Sequence, residues 1–190
     1  MIISAKRVLE LNKKYKLIDN LSARELCPEG VGIDVRVGEV YKIKGEGYLG
    51  SIKRKTPSVE KTADIKQNDK KITLNPGDFV LIKTIETVNV PANKIVIEEG
   101  KEPAYIMLDV YPRSTLQRCG IYFLGTKTDP GYFGELTFGL ANVGGVPFIL
   151  DLGARVANLV FKQVLGDICK AYEGQWKGGR VGTQESEEQK

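Results

Sequence analysis

The chain is 190 residues long and 42% apolar, with 28 Lys and Arg against 24 Asp and Glu, a formal charge of +4. That length and apolar share suffice for one compact domain with a full core, and the mild positive balance suits a small anionic ligand rather than a nucleic acid. With no histidine, and with Cys27, Cys119 and Cys169 lacking C-x-x-C spacing, the sequence excludes Ser-His-Asp and Cys-His nucleophiles, His-ligated metals and the zinc deaminase signature.

The first stretch, "MIISAKRVLELNKKYKLID", lacks the long apolar region of a signal peptide, and no later run approaches membrane-spanning length. With an odd number of thiols, this predicts a cytoplasmic protein with no membrane partner. Ser4 caps a short helix within residues 1–20, with Val8, Leu9 and Leu11 on its apolar face. The texture then changes to short runs such as "GIDVRVGEVYKI", "FVLIKTIETVNV", "AYIMLDV", "GIYFLGT" and "RVANLVFKQVL", separated by Gly, Pro, Asn and Asp. Such spacing predicts an all-β barrel or sandwich. Residues 44–71 are charged and Gly-rich without a sustained apolar period, which predicts a long loop. The β domain is expected to end near residue 172, leaving 173–190 as a polar tail, mobile when nothing is bound.

Residues 45–50, "GEGYLG", match G-x-G-x-x-G, but that motif binds a dinucleotide only where a strand feeds a helix. Here it runs into the Pro-broken "SIKRKTPSVEK", so Lys53, Arg54 and Lys55 read as solvated loop charge.

Four segments carry chemistry. "YPRSTLQRCG" gathers Arg113, Ser114, Thr115 and Arg118, whose guanidinium forks and hydroxyls supply directed donors to phosphate oxygens; a helical turn with surface arginines is the plainer alternative. "TDPGYFGELTFGLANVGG" puts Asp129 and Tyr132 on one tight turn, a base and a flat platform able to flank one small object, or else an ordinary hairpin turn. "GARVANLVF" is a Gly turn into a strand with Arg155 and Asn158, where packing alone is the competing account. In "YEGQWKGGR", Lys177 and Arg180 can fold over an anion with Tyr172 or Trp176 as a plate, unless the terminus stays free.

In this order along the chain, these motifs resemble the dCTP deaminase and trimeric dUTPase superfamily, from about Val31 to Gly179. The resemblance implies a distorted β-barrel or jelly-roll-like fold, a homotrimer with active sites between subunits, a deoxynucleoside triphosphate substrate and Mg2+ on its phosphates. Deaminating members similar to this chain carry L-E-F in the strand after the D-P-G-[WY] turn, with the Glu activating water; here the triplet is "FGL" and the Glu position is Gly139. The dUTPase-like pattern D-x-x-Y-x-G-E followed by L-x-N is present as Asp129, Tyr132, Gly134, Glu135, Leu140 and Asn142.

The resemblance therefore implies dUTP diphosphohydrolysis. Asp129 would deprotonate the attacking water, Tyr132 would pack on deoxyribose, and Arg113, Ser114, Thr115 and Arg118 would hold phosphates. Asn158 stands where the family often has Gln, and Asp34 in "GIDVRVG" would organise the metal–water shell or the site wall. Uracil would be read by backbone groups around 136–140, with Gly139 allowing close approach. The tail departs from the deaminase branch at Gln175 and Gly179, and Lys177 and Arg180 are inferred as phosphate contacts from charge alone. Two alternatives stand beside this reading: a dCTP deaminase, alone or bifunctional, and a noncatalytic nucleotide-sensing protein.

Overall fold

The computed structural model describes residues 1–189. Ser4 opens helix α1 (Ala5–Tyr15), accepting from the Arg7 backbone N–H, while Ala5, Val8 and Leu11 turn into the core. Lys16 ends the helix in the left-handed region at φ 53°, its N–H reaching the Asn12 carbonyl. The helix is therefore shorter than the segment its apolar pattern suggested.

Thirteen strands follow: β1 (Ile18–Asp19), β2 (Ile33–Lys44), β3 (Tyr48–Leu49), β4 (Lys53–Lys55), β5 (Ser58–Asp64), β6 (Lys71–Leu74), β7 (Phe79–Asn89), β8 (Tyr105–Pro112), β9 (Ile121–Leu124), β10 (Phe133–Asn142), β11 (Phe148–Asp151), β12 (Arg155–Val164) and β13 (Glu187–Glu188). A short helix α2 (Ser114–Arg118) lies between β8 and β9. The main sheet runs β8-β12-β2-β7-β10-β9, with β1 also on β7 and β5 on β2. All pairings are antiparallel, and the sheet curls into a distorted β-barrel as the strand pattern predicts.

Strand β2 links the parts of this sheet: its first residues pair with β12, its middle with β7 and its last with β5. Strand β7 shows the period-2 rule throughout, with Val80, Ile82, Thr84, Glu86 and Val88 buried in alternation. Two of those five are polar, and each has a partner. Glu86 accepts from Arg36 Nε at 2.6 Å and from the Arg36 backbone N–H at 2.7 Å. The Thr84 hydroxyl accepts from the Leu136 N–H at 2.9 Å and donates to the Glu86 carbonyl at 2.7 Å, at the bulge where β7 and β10 slip register.

Residues 44–71 differ from the predicted loop: they form β3, β4, β5 and a 3-10 turn, Ile65–Gln67. Strand β5 is an edge partner of β2, exposing Glu60 and Lys61 and burying only Ala63 and Asp64, so no apolar alternation marks it. The segment after residue 172 is laid against the domain. Gly178 donates to the Phe133 carbonyl at 2.6 Å, and Thr183 exchanges backbone-to-hydroxyl bonds with Thr56 at 2.8 and 2.9 Å. Strand β13 then pairs with β4. A side chain at Gly134 (φ 136°) would bring its Cβ to 2.2 Å from the Gly179 nitrogen, so glycine is what lets the tail cross there. Among the described residues, no helix is long and apolar enough to cross a membrane.

Candidate active site

The turn before β10 is fixed from both sides. Thr128 bridges Leu108 with backbone bonds of 2.8 and 3.1 Å, Gly131 donates to the Val90 carbonyl, and Tyr172 donates to the Pro130 carbonyl at 2.7 Å. The turn closes with the Tyr132 N–H on the Asp129 carbonyl at 3.1 Å. Tyr132 is buried, and its phenol donates to the Glu135 carbonyl at 2.6 Å while its ring meets Tyr172 at 5.9 Å between centroids. Burial pushes this phenol well above the ordinary tyrosine value, so it acts as a neutral donor. The Asp129 carboxylate is 41% exposed and is paired with Lys127 Nζ.

Asp129, Tyr132 and Arg180 line one cavity of about 530 Å³. Strand register explains why a cavity forms here. The β9–β10 ladder joins Ile121–Leu124 only to Gly139–Asn142, and before that rung the two chains part. Thr126 to Asp129 line one side of the fork and Leu136 to Phe138 the other, while Phe79, Leu81 and Val59 supply apolar walls. The tail closes the mouth with Tyr172, Trp176 and Arg180. Trp176 lies 5.1 Å under the Arg54 guanidinium, and Arg180 pairs with Glu187.

Gly139 does not line this cavity, contrary to the expectation that its backbone meets a base. It already pairs with Leu81 on one side and Leu124 on the other. A Cβ there would lie 3.0 Å from Phe79 Cε2 and Cζ and 3.3 Å from Leu124 Cβ, so the close approach that glycine permits is made by a phenylalanine ring. The part of the 136–140 stretch facing the cavity is Leu136, Thr137 and Phe138.

The predicted phosphate grip lies elsewhere on the chain. Arg113 and Thr115 line a second cavity, about 440 Å³, with Arg155. Arg113 also lines a third, about 180 Å³, with Asp34, Arg155 and Asn158. Ser114 and Arg118 are exposed on α2, Arg118 donating back to the Ser114 carbonyl at 3.1 Å, and Lys177 is exposed on the tail. Burial, and then the neighbouring Arg155 charge, push the Arg113 guanidinium below its usual range, although it remains charged. One chain therefore separates the Asp129–Tyr132 cavity from the Arg113–Thr115 surface.

Asp34 is not free to order a metal shell. Its carboxylate accepts from Arg113 Nη1, from Arg155 Nη1 at 2.9 Å and from Asn158 Nδ2 at 2.9 Å, while its backbone N–H donates to Glu25 Oε2 at 2.9 Å. A buried carboxylate already neutralised by two guanidinium groups is a poor direct Mg2+ ligand; in the free chain Asp34 stands in the wall of the third cavity and anchors both arginines. Among the described residues there is also no cluster of three His, Cys, Asp or Glu side chains able to hold a metal. Asn158 is equally committed, to Asp34.

Lys127 and Phe79 also line the cavity without having been expected there, whereas Thr137 falls inside the 136–140 stretch expected to meet the base. Lys127 had a signal, two residues from Asp129. Phe79 had none, because pairing across strands brings it there.

A family model described as dCTP deaminase-like matches residues 2–164. The chain is 30% identical over 173 residues to the deoxyuridine 5'-triphosphate nucleotidohydrolase of Methanocaldococcus jannaschii, covering 90% of this chain and 99% of the relative. It is 31% identical over 170 residues to a dUMP-forming dCTP deaminase of Dictyoglomus turgidum, covering 85% of this chain and 79% of the relative. Among solved structures, the 2'-deoxycytidine 5'-triphosphate deaminase from Agrobacterium tumefaciens superposes with a TM-score of 0.59 at 13% identity, over 84% of this chain and 46% of that longer one, a likeness of fold. From the barrel, the Asp129–Tyr132 turn and these matches, the chain belongs to the dCTP deaminase-like family, whose relatives include both deaminases and dUTP hydrolases.

Proposed function

We propose that the protein is a dUTP diphosphatase, converting dUTP and water to dUMP and pyrophosphate. One observation carries the reading: among the described residues, Asp129 is the sole carboxylic acid lining the cavity at the hairpin fork. Deamination needs an acid beside the pyrimidine ring to handle the proton of the attacking water. The position that supplies it in deaminating relatives is Gly139, packed under Phe79 and Leu124.

Hydrolysis at phosphorus asks less of the base pocket and more of positioning. In this reading Asp129 takes a proton from a water aligned on the α-phosphorus. The new bond forms between water oxygen and that phosphorus, and the bond to the β-phosphate oxygen breaks, releasing pyrophosphate. Tyr132, held flat by its bonds to Glu135 and Asp129, packs on the deoxyribose and leaves no space for a 2'-hydroxyl. The pyrimidine enters the fork between Thr126 and Thr137, where β10 has an edge without a ladder partner. Mg2+ is taken to arrive bound to the triphosphate, since the described residues hold no cluster of three His, Cys, Asp or Glu side chains for it.

The separation of the Arg113–Thr115 surface from this cavity supports a site shared between copies, one supplying Asp129 and Tyr132 and another the phosphate grip. A homotrimer is the assembly we assign to it. The deciding experiment incubates the full chain with dUTP and with dCTP, scoring pyrophosphate and ammonia separately. Pyrophosphate from dUTP without ammonia from dCTP is expected, and Asp129→Asn should cut turnover by roughly 100-fold or more, the scale of general-base loss. Ammonia from dCTP, or a fully active Asp129→Asn variant, overturns the assignment.

A further inference from the structure

We infer that the Thr137 hydroxyl is a base-binding group, one that adds affinity for the pyrimidine without distinguishing uracil from cytosine. The inference rests on the nucleotide-site reading above. The observation behind it is an unpaired atom: Thr137 Oγ1 is buried and has no hydrogen-bond partner. Buried hydroxyls in folded proteins are nearly always paired, because an unpaired one carries its desolvation cost uncompensated. Of the buried side-chain atoms without a partner among the described residues, Thr137 Oγ1 alone belongs to a residue lining the main cavity.

The other polar side chains around the cavity are mostly committed. Lys127 and Asp129 hold each other, Tyr132 donates to Glu135, and Arg180 is on Glu187. Thr56 is tied to Thr183, and the Tyr172 hydroxyl accepts from the Trp176 N–H at 3.3 Å. Most of the remaining wall is apolar, including Ile43, Val59, Phe79, Leu81 and Val181.

Thr137 also stands at a special rung. It is the first residue of β10 after the bulge, pairing with Lys83, and β9 reaches β10 only two residues later at Gly139. Leu136 on its N-terminal side is sealed by Thr84, whereas Thr137 lines the fork with a hydroxyl that the free chain leaves buried and without a partner. A base entering the fork reaches the hydroxyl by turning the side chain toward the cavity. Rotation about one side-chain bond brings the hydroxyl to either side of its backbone.

A hydroxyl rotor donates or accepts as required. It donates to a ring carbonyl of uracil or cytosine and accepts from the 4-amino group of cytosine. A fixed backbone N–H lacks that freedom. Thr137 therefore raises affinity for both bases, and dCTP is bound even where no ammonia is released.

The test uses Thr137→Val and Thr137→Ser in the full chain, titrated with α,β-imido-dUTP and with dCTP by calorimetry, together with their thermal midpoints. Thr137→Val should bind both nucleotides about tenfold more weakly, equivalent to about 1.4 kcal/mol, while Thr137→Ser should bind within about twofold of the parent. The nucleotide-free midpoint of Thr137→Val should be unchanged or higher, because a methyl replaces an unpaired hydroxyl. Undiminished binding by Thr137→Val, a loss confined to one nucleotide, or a fall in midpoint matching the loss of affinity would each overturn the inference. Pyrophosphate release from dUTP by the unaltered chain is measured alongside. Its absence would remove the diphosphatase reading, whereas its presence with undiminished binding by Thr137→Val would remove only this inference.

Discussion

Gly139→Ala is the most direct probe of how the strand after the Asp129 turn is packed. The added Cβ would sit 3.0 Å from two carbons of the Phe79 ring and 3.3 Å from Leu124 Cβ. Carbon pairs rest at about 3.5–4.0 Å, so the ring must retreat by roughly half an ångström. Forcing an extra carbon into a packed site costs about 1–3 kcal/mol. Against this, Gly139 has no left-handed φ, so alanine recovers about 0.4–1 kcal/mol by restricting the unfolded chain. The expected net loss is about 1 kcal/mol, or a thermal midpoint about 2–4 °C lower for a chain of this size. Phe79 also lines the cavity, so its retreat should weaken dUTP binding. Combining the change with Phe79→Leu should recover part of the stability, with a coupling of about 0.5–1 kcal/mol in a double-mutant cycle. Gly139→Glu, which supplies the carboxylate of the deaminating pattern, should not yield ammonia from dCTP while Phe79 is in place. If Gly139→Ala melts with the parent, shows no coupling to Phe79, and Gly139→Glu releases ammonia, the glycine is only a missing carboxylate and the packing argument fails.

Three further outcomes follow from the same geometry. Asp129→Asn and Arg113→Ala chains, each inactive alone, should regain pyrophosphate release when unfolded together and refolded as a mixture, because a shared site can draw an intact half from each; no recovery would mean that one chain supplies both halves. Tyr132→Phe should lose about 1 kcal/mol at neutral pH, from the bond to the Glu135 carbonyl. That gap should narrow above pH 10: the buried phenol binds its proton more tightly folded than unfolded, so its contribution is complete below the unfolded value of about 10 and declines as pH rises toward the folded one. Urea midpoints at pH 8 and pH 10.8 measure the difference. Asp34→Asn should cost about 2–4 kcal/mol, below the figure for a fully buried pair because Arg113 and Arg155 keep 33% and 24% of their side-chain surface exposed. Its denaturation midpoint should shift equally with and without Mg2+; a shift seen only with the metal would restore Asp34 as a metal-shell residue.

What could be read from the sequence was what lies close together along it. Asp129 and Tyr132 are three positions apart on one turn, so their joint presence in the cavity follows from local chain geometry. Strand β7 announces itself by alternation even though Thr84 and Glu86 occupy two of its inward positions. Strand β5 does not, because an edge strand facing solvent has no need of an apolar face. The same limit explains Gly139: its identity marked the branch point in one dimension, but the Phe79 ring that fills the space comes from a strand about sixty positions earlier in the chain. Asp34 shows how a motif can name a residue correctly and leave its partners unknown, since Arg113, Arg155 and Asn158 reach it from a turn and from β12.

These partnerships bear on how a triphosphate would be received. Arg113 faces Asp34, Arg180 faces Glu187 and Lys127 faces Asp129, so two of the cations proposed for an anionic substrate, and the lysine beside Asp129, are held by a carboxylate in the free chain. Pre-pairing keeps the guanidinium groups oriented and lowers the repulsion among neighbours such as Arg113 and Arg155. It also sets a threshold. A ligand must carry enough charge to outcompete carboxylates that are already in place, which a triphosphate can do and a nucleoside cannot. The pair at Asp129 would add a second effect in the proposed reaction: drawing Lys127 onto phosphate would release the Asp129 Oδ1 that it now holds, leaving that oxygen to accept from water.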